Sequence, residues 1–298
     1  KRVMQPAIDL AAKGFVLDRD LAAQFARRQD VFAKYPASVA VFTNKGAPYK
    51  MGELFVQTDL ANTLRRIQKH GKAGFYEGET ADLLVAEMQR GGGLISHQDL
   101  LSYQSSWREP IRGTYRGHEI VSMPPPSSGG ILLVQMLNML EPYDIASMGY
   151  GSAQSIHLMI EAERRAYADR AEHLGDADFY PVPIKELISK EYATKRFANF
   201  DAKRASISAD IGAGEIPAES LETTHASVMD KDGNAVAYTT TLNLSYGAKM
   251  VVAGAGFLLN NEMDDFSAKE NSPNAFGLIG RKANAIEPGK RMLSSMTP

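Results

Sequence analysis

The run Glu222-Thr223-Thr224-His225 is where this sequence first offers a reaction. A polar stretch containing Gly212, Gly214 and Pro217 meets a segment rich in Thr and Val there, so the Glu222–Thr223 peptide bond is open to attack. A threonine hydroxyl is a weak nucleophile at its own pKa and needs a base. One solution is the residue's own α-amine, which exists only after the preceding bond is cut. With an unperturbed pKa of about 7.7–8.0, that amine is partly neutral near physiological pH. The β-branch restricts χ1 and so holds the hydroxyl for repeated attack. His225 falls on the same strand face as Thr223 and is a rival base, although a hydrogen-bonded strand histidine explains it equally well.

Other constellations carry less. His157 and Glu161 stand at i, i+4 and could share a metal, but no second His of suitable spacing joins them. A solvated polar face with a Glu161/Arg165 pair is the better reading. Gly254-Ala255-Gly256 lacks the third glycine of a dinucleotide fingerprint, and there is neither a Walker loop nor a Gly-x-Ser-x-Gly elbow. Asn243-Leu244-Ser245 matches a glycosylation tripeptide too short to be informative. Taken alone, Glu262, Asp264 and Asp265 would be an ordinary acidic turn, and Ser294-Ser295 a loop or cap.

The elements that must position these residues change character along the chain. Thr58 caps a helix with Leu60, Leu64 and Ile67 on one face, ending at Gly71. A second runs from about Thr80 to Arg90, and Ser96 caps a short turn with Asp99. Tyr115 to Met123 reads as a strand leading into Pro124-Pro125-Pro126-Ser127-Ser128-Gly129-Gly130. Ile131 to Leu140 suits a buried helix, and Ser152 to about His173 a longer amphipathic one. From Ile207 to Glu222 the composition is that of an exposed linker. Thr223 to Met229 and Ala235 to Leu242 then flank Asp230-Lys231-Asp232-Gly233-Asn234 as a hairpin, with further strand expected at Met250 to Ala253 and Gly256 to Leu259. Helices followed by paired strands, without regular alternation, indicate an α+β fold.

The chain has 298 residues, 44% of them hydrophobic, enough for one large domain or two small ones. Its 33 Lys+Arg against 35 Asp+Glu leave a formal charge of −2, without the basic surplus that nucleic-acid binding needs. The absence of cysteine excludes disulfides and thiolate chemistry and leaves the compartment open. The most apolar stretch is far short of the roughly 20 residues that span a bilayer. With no initiator Met at Lys1 and no closing element at Pro298, the chain reads as part of something longer, with room upstream for a signal peptide.

Thr223-Thr224-His225-Ala226-Ser227-Val228, followed by Asp230 to Ala237, closely resembles the processing site and first hairpin of γ-glutamyltranspeptidases. Further matches are Thr241-Leu242-Asn243, Leu258 to Ser267 and Leu293-Ser294-Ser295-Met296. Upstream, Met123 to Gly130, Tyr167-Ala168-Asp169-Arg170 and Leu174-Gly175-Asp176 also match, so the resemblance covers essentially the whole chain.

That resemblance implies an N-terminal-nucleophile hydrolase: a four-layer αββα sandwich, here incomplete at both ends, cut between Glu222 and Thr223 into a large and a small subunit. Residues 1–222 would be the C-terminal part of the large-subunit region and 223–298 the N-terminal part of the small one, together one domain. Thr223 would then take the γ-glutamyl group from glutathione or a related donor and pass it to water, an amino acid or a peptide, without metal or organic cofactor. Glu262, Asp265 and Asn243 match positions that hold the donor's α-ammonium, and Ser294 and Ser295 those that hold its α-carboxylate. Thr241 matches the residue whose hydroxyl contacts the Thr223 amine and assists processing. An arginine for the carboxylate is expected before Lys1, and an oxyanion-hole Gly pair after Pro298. Phe276 stands where some members carry a lid Tyr, and Glu262 where some have Gln. The family suggests the periplasm or the cell exterior. The alternatives are a related acylase of the cephalosporin-acylase kind, and an uncut, non-catalytic relative.

Overall fold

The computed structural model describes residues 2–211, 224–269, 273–275, 277–278 and 280–298; Glu222, Thr223 and Phe276 lie outside the described residues. Helix and sheet are mixed, and the described strands pair as antiparallel two-stranded sheets. The chain divides into two compact units, Lys1–Ser106 with Leu244–Asn261, and Trp107–Asn243 with Glu262–Pro298.

In the first unit, the helix Thr58–His70 ends at Gly71 as the punctuation predicts, but Thr58 is its first helical residue and Gln57 holds the cap position without a side-chain bond. The second helix, Gly78–Gly91, starts two residues earlier than its apolar pattern. Ser96 and Asp99 form a reciprocal capping box before His97–Ser102. An aromatic core gathers Phe25, Phe32, Phe42 and Phe55, with Phe32 and Phe42 stacked at 4.4 Å and Tyr246 edge-on to Phe32 at 5.4 Å. Burying one such ring is worth about 1.5–3 kcal/mol.

The two runs expected as strands in Leu244–Asn261 pair only briefly, through the bridge of Val251 with Leu258, with Val252 N donating to Phe257 O and Leu259 N to Met250 O, each at 2.9 Å. Side chains take other backbone groups of the segment. Ser38 Oγ donates to Lys249 O and accepts from Val251 N, Thr63 Oγ1 donates to Ala255 O, and Glu87 accepts from Ala253 N. Gly256 sits at φ +77°, where a Cβ would lie 2.4 Å from Leu60 N, so only glycine fits that approach.

In the second unit, Tyr115 to Met123 is not one strand. Ile111–Tyr115 and His118–Ser122 form a hairpin whose turn residues Arg116 and Gly117 both take positive φ, 49° and 84°. That turn geometry matches strand twist, but an Arg-Gly pair announces it far less clearly than Asn-Gly. The buried helix Gly129–Leu140 packs on the long helix Ala153–His173, which Ser152 caps through Ser155 N. Ile131, Val134, Ala166, Tyr167, Leu174 and Leu293 form the core between them.

The polar stripe of the long helix is not solvated. Glu161 and Arg165 are both fully buried and paired at 2.6 Å, and Arg165 also donates to Asn199 Oδ1 at 2.7 Å and lies over the Phe197 ring. Burial pushes the Glu161 carboxyl up, but hydrogen bonds from Ser206 and Arg165 outweigh it and hold the group below its ordinary value. His157 bonds to Asp201 O instead of sharing a ligand with Glu161.

The start of the expected linker is ordered: Ser208–Ile211 forms a 3-10 turn, and Arg196 donates to Ile211 O. The hairpin appears in the expected place, with Thr224–Met229 paired to Ala235–Thr240. Asp230 closes it by accepting from the backbone of Asp232 and Asn234, both at 2.9 Å.

Candidate active site

Thr240 pairs with Thr224, the residue that follows Thr223, and Thr241 is the next residue along. Thr241 Oγ1 accepts the Asn243 N–H at 3.0 Å, which turns the chain sharply. Asn243 is buried and sits at φ +73°, a left-handed conformation that asparagine tolerates better than most residues.

The turn meets the 3-10 helix Glu262–Asp265. Burial, and then the charge of Asp265, push the Glu262 carboxyl up to about 7, while a hydrogen bond with the Asn243 backbone works the other way. Asp265 is pushed up to about 6 by burial, against the pull of the Arg170 guanidinium; the neighbouring Asp264 raises it and an Asn274 hydrogen bond lowers it. Two half-buried carboxylates that repel each other are destabilised by that charge, and a cation placed beside them would relieve both their desolvation and their repulsion. Asn274 Nδ2 donates to Asp265 Oδ1 at 3.0 Å, and Ala275 N to Asp264 Oδ2 at 2.9 Å, so the loop preceding Phe276 is tied to the same turn.

Ser294 and Ser295 are held by the loop that contains three consecutive prolines. Ser294 N donates to Pro126 O and Ser128 N to Ser294 O, each at 2.9 Å. Ser294 Oγ donates to Ser127 Oγ at 3.1 Å, and Ser128 Oγ reaches Ser294 O at 3.0 Å and Ser295 Oγ at 3.4 Å. This approach requires Gly129, where a Cβ would stand 2.2 Å from Met296 O. Ser294 is therefore buried with its hydroxyl engaged, whereas Ser295 is half-buried.

The structure thus brings Thr241, Asn243, Glu262 and Asp265 into one cluster, with Ser294 and Ser295 in the same unit. It sets His225 apart: exposed, with Nδ1 on Thr239 Oγ1 at 2.8 Å and Nε2 on Ser227 Oγ at 3.0 Å, it is a cross-strand hydrogen-bonding histidine. Two residues acquire a place that the sequence reading did not assign. Arg170 is buried, donates from Nε to Ser128 Oγ at 3.1 Å, and acts by charge on Asp265. Both stand in patches that match the family, Tyr167 to Arg170 and Met123 to Gly130, but nothing in the sequence gave either of them a role.

The gamma-glutamyltranspeptidase family model matches residues 1–298. A glutathione hydrolase proenzyme of Pseudomonas sp. (strain A14) is 48% identical over 299 residues, an alignment covering 100% of this chain and 52% of that relative. Among solved structures, the Helicobacter pylori gamma-glutamyltranspeptidase superposes with a TM-score of 0.69 at 43% identity, over 71% of this chain and 61% of that one. The cephalosporin acylase of Bacillus halodurans superposes with a TM-score of 0.80 at 26% identity, over 98% and 52%. The chain spans about half the length of the curated relatives it matches.

Proposed function

Since this chain belongs to the gamma-glutamyltranspeptidase family, we propose that it carries the cleavage site, nucleophile and donor pocket of a self-processing γ-glutamyltransferase and glutathione hydrolase. The carrying observation is the Glu262/Asp265 pair, two carboxylates raised by burial and repulsion, in the same unit as the hydroxyl pair Ser294/Ser295. A γ-glutamyl donor has a free α-ammonium and a free α-carboxylate, and these two sites complement them. The four-layer αββα sandwich is proposed with the activity, supported by the likeness to the two solved structures. So is the division into large- and small-subunit regions at Glu222–Thr223. The periplasm or the cell exterior is the proposed location, on the family resemblance.

In processing, the Thr223 hydroxyl attacks the Glu222 carbonyl carbon. The C–N bond breaks as the C–O bond forms, and the hydroxyl proton passes to the departing nitrogen. Water then hydrolyses this ester, leaving Glu222 as a carboxylate and Thr223 with a free amine. That amine takes the hydroxyl proton when Thr223 attacks the γ-carbonyl of the donor, and the proton goes on to the leaving amine. Water or an amine acceptor resolves the γ-glutamyl ester and restores the hydroxyl. Thr241, whose hydroxyl orders the Asn243 turn, is placed beside the amine in this reading, and Phe276 on the lid.

An acylase is the second reading, favoured by the TM-score of 0.80 to the cephalosporin acylase. The carboxylate pair argues against it, since an acyl group without an α-amine gains nothing from an anionic clamp. The third reading, an uncut non-catalytic relative, fails if cleavage occurs. The deciding experiment is intact mass with N-terminal sequencing of the full-length protein after incubation at neutral pH, followed by assay on a γ-glutamyl anilide and a glutaryl anilide. A new terminus Thr-Thr-His and release from the γ-glutamyl substrate alone are expected. Preference for the glutaryl compound would establish the acylase reading, and an uncut, inactive chain would overturn both.

A further inference from the structure

Asn284 lies between the two halves of the proposed donor pocket and belongs to neither. It closes the short 3-10 turn Lys282–Asn284, is buried, and spans two separate strands of chain. Its Nδ2 donates to Asp265 O at 2.6 Å, and its Oδ1 accepts from Leu293 N at 3.0 Å. Asp265 O can only accept and Leu293 N can only donate, so the partners themselves fix the orientation of the amide. The backbone carbonyl of Asn284 also accepts from Ser267 N at 2.9 Å, two residues after Asp265.

We infer that Asn284 is a positioning residue that sets the distance between the carboxylate turn Glu262–Asp265 and the serine pair Ser294–Ser295, so that both ends of an α-amino acid are held at once. One side chain grips the backbone of Asp265 and the residue immediately before Ser294. It touches no substrate; it fixes the separation of two groups that do. A dipolar ligand about the length of one amino-acid head group is sensitive to that separation, because a misplacement of about 1 Å is costly when two contacts must form together. A ligand held at one end only can shift to follow whichever half remains. The inference rests on the donor reading above.

The test is competitive inhibition of the processed full-length protein by three small acids: L-glutamate, which has both α-groups; glutarate, which lacks the α-ammonium; and 4-aminobutyrate, which lacks the α-carboxylate. The variants are Asn284→Ala, and Asn284→Asp, which keeps the shape but turns a carboxylate oxygen toward Asp265 O. Thermal melting confirms that each is folded, and if Asn284→Ala is not, the Asp isostere carries the comparison. Each variant should weaken L-glutamate by about tenfold or more, the scale of losing one buried hydrogen bond with its partner left unsatisfied. Glutarate and 4-aminobutyrate should change by less than about threefold, and kcat should fall less than KM rises. Equal weakening of all three ligands would mean general loosening of the fold and would overturn the inference, as would unchanged inhibition by L-glutamate. If the unaltered protein is not inhibited by L-glutamate at all, the donor reading itself has failed.

Discussion

Glu262 and Asp265 are the first and last residues of one 3-10 turn, and the negative charge of Asp265 helps to keep the proton on Glu262. Asp265 is pushed up to about 6, with Arg170 holding it down, and Glu262 to about 7. The charge of the cluster is therefore sensitive to pH just below neutrality.

Inhibition by L-glutamate should weaken steeply as pH falls from about 7 through 6, because both carboxylates become neutral and the ammonium loses its counter-charge. Glutarate, which brings only negative charge, should bind more tightly over the same interval. Inhibition constants measured from pH 5 to 8 check this, and parallel profiles for the two acids would refute it. Arg170→Met should move the glutamate profile to higher pH, since Asp265 would lose the cation that favours its ionised form.

Glu262→Gln should raise the donor KM by about tenfold, the loss of one charge-assisted contact, with a smaller change in kcat. Its effect on stability has the opposite sign. A carboxyl whose folded pKa lies above its ordinary 4.5 stabilises the fold fully below that value, and the contribution is lost as pH rises through about 7. The variant should thus gain in Tm relative to the parent between pH 5 and pH 8. A Tm difference independent of pH would show that Glu262 is not perturbed as described.

Arg165→Met should destabilise the second unit by about 3–5 kcal/mol, because it strands the buried Glu161 carboxylate. The double variant Glu161→Leu/Arg165→Met should be more stable than Arg165→Met alone, since the uncompensated charge is gone. Denaturant unfolding of the three proteins measures both differences.

His225→Ala should leave self-cleavage and turnover within about threefold of the parent, an exposed side chain with its nitrogens on Thr239 and Ser227 having little to contribute. Thr223→Ala should abolish cleavage. Loss of cleavage in His225→Ala, followed by intact mass over time, would restore His225 as the base.

Local chemistry determined much of this protein. The capping box at Ser96, the end of Thr58–His70 at Gly71, the Ser152 cap of the long helix and the Asp230–Asn234 turn each depend on residues within a few positions of one another, so sequence alone exposes them. The candidate site residues stand out in the sequence for a related reason: Thr241, Asn243, Glu262, Asp265, Ser294 and Ser295 fall in short patches whose order matches a known family. Burial and long-range partnership were decided only by tertiary structure. Nothing near Met250 predicts that Ser38, Thr63 and Glu87 will take the backbone bonds that a strand would need. The i, i+4 pairing of Glu161 and Arg165 is the same on a wet face as in a sealed core, and only the packing of Phe197 and Asn199 against it made it the latter. Arg170, Ser128 and Asn284 are the sharpest case, because their partners lie between 9 and 167 residues away. A side chain's chemistry is written in its own sequence, but its environment is written in the sequence of whatever folds against it.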